Sequence, residues 1–235
     1  ISLFNGNAQQ AAAGADQALC SNAASTVLAA NAAVLPATGS WSVQQGTATF
    51  TNATSPTTAV SGLSTGVNIL VWSLNNGACG TSTDAVAVTV YDEANPVANA
   101  GGDQQLCTPV TATTLAGSSV ITPATGTWTL VGGTGNIVAP NSPTTQVNGL
   151  GLGNNVFRWT VNNGPCPTGT TFDEVTISVF SGVAQAANAG PDQDVCTPAG
   201  AVALDANLPV GPAQGTWTAT AGITFSDSHS PSATV

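Results

Sequence analysis

Five cysteines and one histidine carry most of the covalent chemistry open to this chain of 235 residues. Cys20 and Cys79 are 59 residues apart, and so are Cys107 and Cys166. Matching positions at matching spacing predict a Cys20–Cys79 disulfide and a Cys107–Cys166 disulfide. Cys196 then opens a third pair, with its partner expected beyond residue 235. Each bond would tie a first strand to the loop after an Asn-Asn-Gly turn. The metal reading fails, because the chain has no CxxC and no paired histidines. Disulfides persist in oxidising compartments, so the chain is expected outside the cytoplasm. A cross-link over such a loop contributes on the order of 3–4 kcal/mol in the chain-entropy model.

Catalytic constellations are sparse. His229 sits in "SDSHSP" beside Asp227 and Ser228, and sequence neighbours in a turn do not build a Ser-His-Asp triad. The pairs Asp92-Glu93 and Asp173-Glu174 fall at a domain end and a strand start, where they read as solvated rim charges. "GLGLGN" (149–154) leads into a strand pattern, not a helix N-terminus, so it is no nucleotide loop. No catalytic and no cofactor-binding residue is expected, and the chain reads as no enzyme. One metal reading is retained. Asp92, Glu93, Asp103, Asp192 and Asp194 lie near repeat junctions and offer hard oxygen ligands suited to calcium. The competing reading has the Asp of each "AGxD" block accepting backbone N–H bonds.

Composition narrows the class. Charged residues make up 5% of the chain, and Lys and Arg together number one, Arg158, against 11 acids. The net charge of -10 excludes a basic nucleic-acid footprint. Residues 17–83 hold no charged residue and no histidine, yet no run nears the roughly 20 apolar residues of a spanning helix. A membrane barrel would need aromatic girdles, and there is a single Tyr. Hydrophobic residues at 42% suffice for a core. The chain reads as soluble, β-rich and exported.

These residues recur on a long period. "AGADQALC" (13–20), "AGGDQQLC" (100–107) and "AGPDQDVC" (189–196) are one block three times. Asp16, Asp103 and Asp192 step by 87 and 89 residues, and Trp41, Trp128 and Trp217 keep the same steps. "SPTTAVSGL" (55–63) returns as "SPTTQVNGL" (142–150) and restarts as "SPSATV" (230–235). "NILVWSLNNGAC" (68–79) returns as "NVFRWTVNNGPC" (155–166). The unit is about 88 residues, the size of one small sandwich domain.

Inside each unit the period is two. Val86, Val88 and Val90 share a face, as do Val175, Ile177 and Val179. Phe157, Trp159 and Val161 alternate with Arg158 and Thr160, so the basic side chain faces out and Trp159 in. Leu70, Trp72 and Leu74 repeat that pattern. Trp41, Trp72, Trp128, Trp159 and Trp217 are therefore expected in cores. Asn-Asn-Gly at 75–77 and 162–164 predicts hairpins. About seven short strands per unit argue for an immunoglobulin-like β-sandwich. The expected organisation follows. Residues 1–4 are the last strand of a preceding domain, because "ISLFNGNAQQAAAGAD" (1–16) overlays "ISVFSGVAQAANAGPD" (177–192) without a gap. Residues 5–12, 93–99 and 182–188 are linkers. Residues 13–92 and 100–181 are immunoglobulin-like domains, and 189–235 is the N-terminal part of a third, truncated one.

On the "ANAGxDQ…C", "TGTWT", "SPTT" and "WTVNNG.C" blocks, the chain resembles the PKD-like, immunoglobulin-like tandem repeats of giant cell-surface proteins of Bacteroidetes. The gliding-motility adhesins of the SprB type are among them. The resemblance spans the chain and implies an all-β array of tandem sandwich domains, export by the type IX secretion system and a cell-surface location. It implies a non-catalytic stalk segment of a long adhesin filament that spaces and displays distal binding regions for attachment or gliding. Partners would be neighbouring repeats of the same polypeptide, with surface polysaccharide or other cell-surface proteins beyond them. Two other functions fit the residues: a self-associating surface fibre or sheath, and a carbohydrate-binding accessory module of a secreted enzyme. The second needs exposed aromatic platforms, and only Tyr91 and Phe180 fall on an outer face.

Overall fold

Alternating apolar residues and glycine-marked turns fold the described residues into strands and loops, with two 3-10 turns at Ser21–Ala23 and Gly77–Cys79. The computed structural model describes residues 8–196, 200–220 and 222–235. The strand expected at residues 1–4 lies outside them, as does the start of the first linker.

The first repeat builds two sheets. In one, β1 (Gln17–Cys20), β7 (Thr81–Tyr91), β6 (Gly66–Asn75) and β3 (Thr38–Gln45) lie side by side in that order. In the other the order is β2 (Thr26–Val27), β5 (Ala59–Ser61) and β4 (Thr49–Phe50). β6 and β7 form a long antiparallel hairpin, whereas β1 runs parallel to β7 with Gln17 opposite Val88 and Cys20 opposite Tyr91. Every second residue points to the core. Leu70, Trp72 and Leu74 of β6 and Val86, Val88 and Val90 of β7 are buried against Leu28, Trp41 and Val60. Trp41 sits across from Trp72 in the β3–β6 ladder, with ring centroids 5.2 Å apart and planes tilted by 45°. Burying one such indole yields roughly 4–6 kcal/mol of transfer free energy. Gly39 makes room for it, since a Cβ there would run into the Trp72 ring.

The second repeat repeats this plan. One sheet has the order β10 (Thr125–Gly132), β13 (Gly153–Asn162), β14 (Thr170–Phe180), β8 (Gln104–Cys107). The other has β11 (Asn136–Ile137), β12 (Thr144–Asn148), β9 (Thr113–Ala116). β8 runs parallel to β14, with Gln104 opposite Ile177 and Cys107 opposite Phe180. Val175, Ile177 and Val179 are buried. The chain is thus an all-β protein of immunoglobulin-like sandwiches.

Buried polar groups fix the corners. Asn68 is fully buried; its Oδ1 accepts from the Thr47 N–H at 3.0 Å and its Nδ2 donates to the Ser64 carbonyl at 2.8 Å. Asn155 does the same with the Thr134 N–H at 2.8 Å and the Gly151 carbonyl at 2.9 Å. Each tryptophan indole N–H also finds a carbonyl: Trp41 that of Ser55, Trp128 that of Pro143, Trp72 that of Asn31 and Trp159 that of Ser118. Unpaired, such groups would cost about 1–3 kcal/mol each.

Residues 189–235 differ. Among the described ones the only β pairing is an isolated bridge between Ala203 and Thr234. Trp217, expected in a core, is half-buried. Its indole N–H reaches the Ser230 carbonyl at 2.8 Å and its ring stacks near Phe225. Trp41 is covered by Trp72 of β6, and no strand among the described residues of 189–235 covers Trp217 in that way.

The chain gathers into two compact units. One comprises Ile1–Asn99, described from residue 8, with Ser118–Thr127 and Trp159–Asp173; the other comprises Ala100–Gly117, Trp128–Arg158 and Glu174–Val235. This partition does not follow the sequence period. Two segments of the second repeat, one of them holding its Asn-Asn-Gly hairpin, belong with the first repeat.

Candidate functional site

That hairpin carries Cys166, and Cys166 is bonded to Cys20. The expected Cys20–Cys79 and Cys107–Cys166 bonds are therefore corrected. The reason is strand direction. Because β1 is parallel to β7, Cys20 lies beside Tyr91 at the C-terminal end of β7. Cys79 lies in the turn Gly77–Cys79, before the other end of the 11-residue β7. Eleven residues of strand span roughly 35 Å, whereas bridged cysteines have Cα atoms within about 7 Å. The same holds for Cys107, which ends β8 beside Phe180, and Cys166, which precedes the 11-residue β14. Cys20 and Cys166 have Cα atoms 4.9 Å apart across a sequence separation of 146. Cys107 and Cys196 are exposed thiols.

The hairpin is shaped to reach its partner. The Asn162 side chain accepts from the Gly164 N–H at 2.9 Å, and the Asn163 N–H donates to the Gly169 carbonyl at 2.8 Å. Gly164 has φ +54°, in the left-handed region. A Cβ on Gly164 would stand 2.6–2.7 Å from the Tyr91 ring atoms. Only glycine lets that ring lie against the backbone. Cys166 Sγ lies 3.6 Å from the Tyr91 carbonyl oxygen; a disulfide sulfur carries no proton, so this is a contact and not a hydrogen bond.

Polar bonds lock the surround. Asn163, almost wholly buried, donates from Nδ2 to the Asp92 carbonyl at 2.8 Å. The Glu93 N–H donates to Ser21 Oγ at 2.9 Å, and Asn22 Nδ2 donates to Glu93 Oε1 at 3.0 Å. The expected linker 93–99 is held along its length. Asn95 Oδ1 accepts from the Ile121 N–H at 2.7 Å, Ala98 N–H donates to Thr171 Oγ1 at 2.9 Å, and Asn99 N–H donates to Ser118 Oγ at 3.2 Å. Of these asparagines only Asn163 was legible in the sequence: it is the second Asn of the Asn-Asn-Gly block, which recurs for its side chain as well as for its turn, whereas Asn22, Asn95 and Asn99 stand in no such block.

Three of the junction aspartates serve backbone geometry. Asp103 Oδ1 accepts from the Thr176 N–H at 2.8 Å, and Asp16 Oδ1 accepts from the Ala87 N–H at 2.9 Å. Asp92 Oδ1 accepts from the Ala94 N–H at 2.9 Å. Asp192 and Asp194 are exposed. Among the described residues no three His, Cys, Asp or Glu side chains gather as a metal cluster. Asp227 accepts from the backbone N–H of His229 at 2.9 Å, while the His229 ring contacts Thr216 Oγ1 and the Gly215 carbonyl. The carboxylate therefore does not orient the imidazole. Glu174 pairs with Arg158 at 2.6 Å in a half-exposed ion pair. Tyr91 packs on Gly164 and Phe180 is half-buried. Among the described residues no helix is long and apolar enough to cross a membrane.

No protein-family model and no curated protein matches the sequence. Solved structures give partial likenesses. The PKD domain from KIAA 1837 protein is 27% identical over 41% of this chain and 92% of its own, with a TM-score of 0.31. The extracellular domains 3–5 of Drosophila OTK are 12% identical, cover 73% of this chain and 60% of their own, and score 0.41. A SusE-like surface located polysaccharide binding protein from Bacteroides thetaiotaomicron is 11% identical over 72% of this chain and 34% of its own, with a TM-score of 0.27.

Proposed function

We propose that this chain is a non-catalytic stalk segment of a long, secreted cell-surface adhesin, whose tandem sandwich domains space and display binding regions located elsewhere in the polypeptide. The observation that carries this reading is the Cys20–Cys166 bond, which joins the first repeat to the hairpin of the second. A domain that merely needed internal stability would close the bond on itself. A bond from one repeat to the next fixes the spacing between them, which is what a stalk requires. Its chemistry also suits an oxidising location outside the cytoplasm. The pinned linker 93–99 supports the same reading, since a freely jointed string of domains would leave it unbonded.

Three measurements test it. Antibodies against the chain are expected to label the surface of intact cells, and labelling found only after lysis overturns the location. Light scattering over a concentration series is expected to give a monomer. Concentration-dependent growth would favour the sheath, and specific hits on a glycan array would favour the carbohydrate-binding module.

A further inference from the structure

The end of β8 is a second copy of the site that Cys20 occupies. Cys107 stands opposite Phe180 in the same parallel register in which Cys20 stands opposite Tyr91. The following turn is also reproduced. Gly182 N–H donates to Thr108 Oγ1 at 2.7 Å, as Glu93 N–H donates to Ser21 Oγ at 2.9 Å. Phe180 presents an aromatic ring at the position of Tyr91, whose ring receives Gly164. In the first copy this arrangement holds an Asn-Asn-Gly-x-Cys hairpin through a disulfide. In the second copy the Cys107 thiol is exposed. It cannot take Cys166, which is already bonded to Cys20.

From this we infer that Cys107 is the covalent docking site for the Asn-Asn-Gly-x-Cys hairpin of a following repeat. Each domain then carries two half-bonds, one at the end of its first strand for its successor and one in its hairpin for its predecessor. The inference rests on the tandem-array reading above and adds the chemistry of the junction. Formation of the bond is a two-electron oxidation. The Cys107 thiolate attacks a disulfide of a dithiol–disulfide oxidoreductase, forming a mixed disulfide and releasing one oxidase thiolate. The hairpin thiolate then attacks the Cys107 sulfur of that mixed disulfide and expels the second oxidase thiolate. The two cysteines lose two protons and two electrons, and the oxidase leaves as the dithiol. Phe180 gives the incoming glycine an apolar face, as Tyr91 does for Gly164.

The test extends the full chain by a copy of residues 148–188, which continues the "SPSATV" block into a complete third unit. After oxidation, alkylation and digestion without reductant, Cys107 is expected in a disulfide with the cysteine of the added hairpin. The Cys20–Cys166 bond serves as the internal control for folding. Cys107 recovered alkylated, with Cys20–Cys166 intact and the added unit folded by tryptophan fluorescence, overturns the inference. Cys107→Ser is expected to leave the added cysteine alkylated and Cys20–Cys166 unchanged. If the added unit does not fold, the same mapping on the polypeptide isolated from its source decides. A Cys107 bonded to a hairpin of this type supports the inference, and a Cys107 alkylated beside a following repeat overturns it. A source polypeptide without further repeats would remove the stalk reading itself, which is a distinguishable failure.

Discussion

Asn76 and Gln9 hold each other by two hydrogen bonds: the Gln9 N–H donates to Asn76 Oδ1 at 3.1 Å, and Asn76 Nδ2 donates to the Gln9 carbonyl at 3.1 Å. In the second repeat Asn163 is the counterpart of Asn76, but the residue matching Gln9 is Pro96, which has no N–H. Asn163 Oδ1 is accordingly buried without a hydrogen-bond partner. The two asparagines should respond differently to truncation. Asn76→Ala breaks two satisfied bonds and is expected to cost about 1–3 kcal/mol. Asn163→Ala breaks the bond to the Asp92 carbonyl but also removes the orphaned oxygen, so its cost should be the smaller of the two. Urea unfolding followed by tryptophan fluorescence measures both, and equal losses would contradict the pairing described.

Disulfide connectivity can be read with one protease. The chain's two glutamates are Glu93 and Glu174. Cutting after them leaves Cys20 and Cys79 on one fragment, Cys107 and Cys166 on the next and Cys196 on the last. Without reductant, the first two fragments are expected to travel together through Cys20–Cys166 and to part when reductant is added. Fragments that separate without reductant would restore bonds within each repeat.

Gly164 is expected to tolerate no side chain. Gly164→Ala imposes positive φ on an L-residue, about 1–2 kcal/mol, and pushes its Cβ into the Tyr91 ring. Gly149 has φ +68° but open space around it. Gly149→Ala should therefore carry the backbone cost alone, while Gly164→Ala should cost more and lower the yield of linked fragments in the same digest. Equal stability and equal linkage in the two variants would disprove the Tyr91 contact.

The disulfide shows where sequence reading stops. Alternation in "AVAVTVY" gave the inward face of β7, and Val86, Val88 and Val90 are buried there. The sandwich was legible because a two-residue period and Asn-Asn-Gly turns are local signals. Pairing of cysteines is not local. In a perfect repeat, Cys20 has the same relation to Cys79 as Cys107 has to Cys166, and a bond within a repeat or between repeats satisfies the spacing equally. Only the parallel register of β1 against β7 separates Cys20 from Cys79, and no short window of sequence encodes it. Trp217 marks a second limit. Its motif matches that of Trp41, but burial depends on a neighbour such as Trp72, not on the motif.

Gly126 offers a test of packing. A Cβ there would collide with the Trp159 indole, as one on Gly39 would with Trp72. Gly126→Ala is expected to cost about 1–3 kcal/mol by overpacking and to shift tryptophan emission to longer wavelength as the ring is displaced. An unchanged spectrum with wild-type stability would mean that the strand has slack at this point.

The Cys20–Cys166 bond also closes a covalent ring around everything between those residues. A pull applied upstream of Cys20 and downstream of Cys166 is carried by the sulfur bridge, and the chain inside the ring never comes under tension. Most of the first sandwich, the linker 93–99 and much of the second are therefore length held in reserve, which only a reductant can pay out.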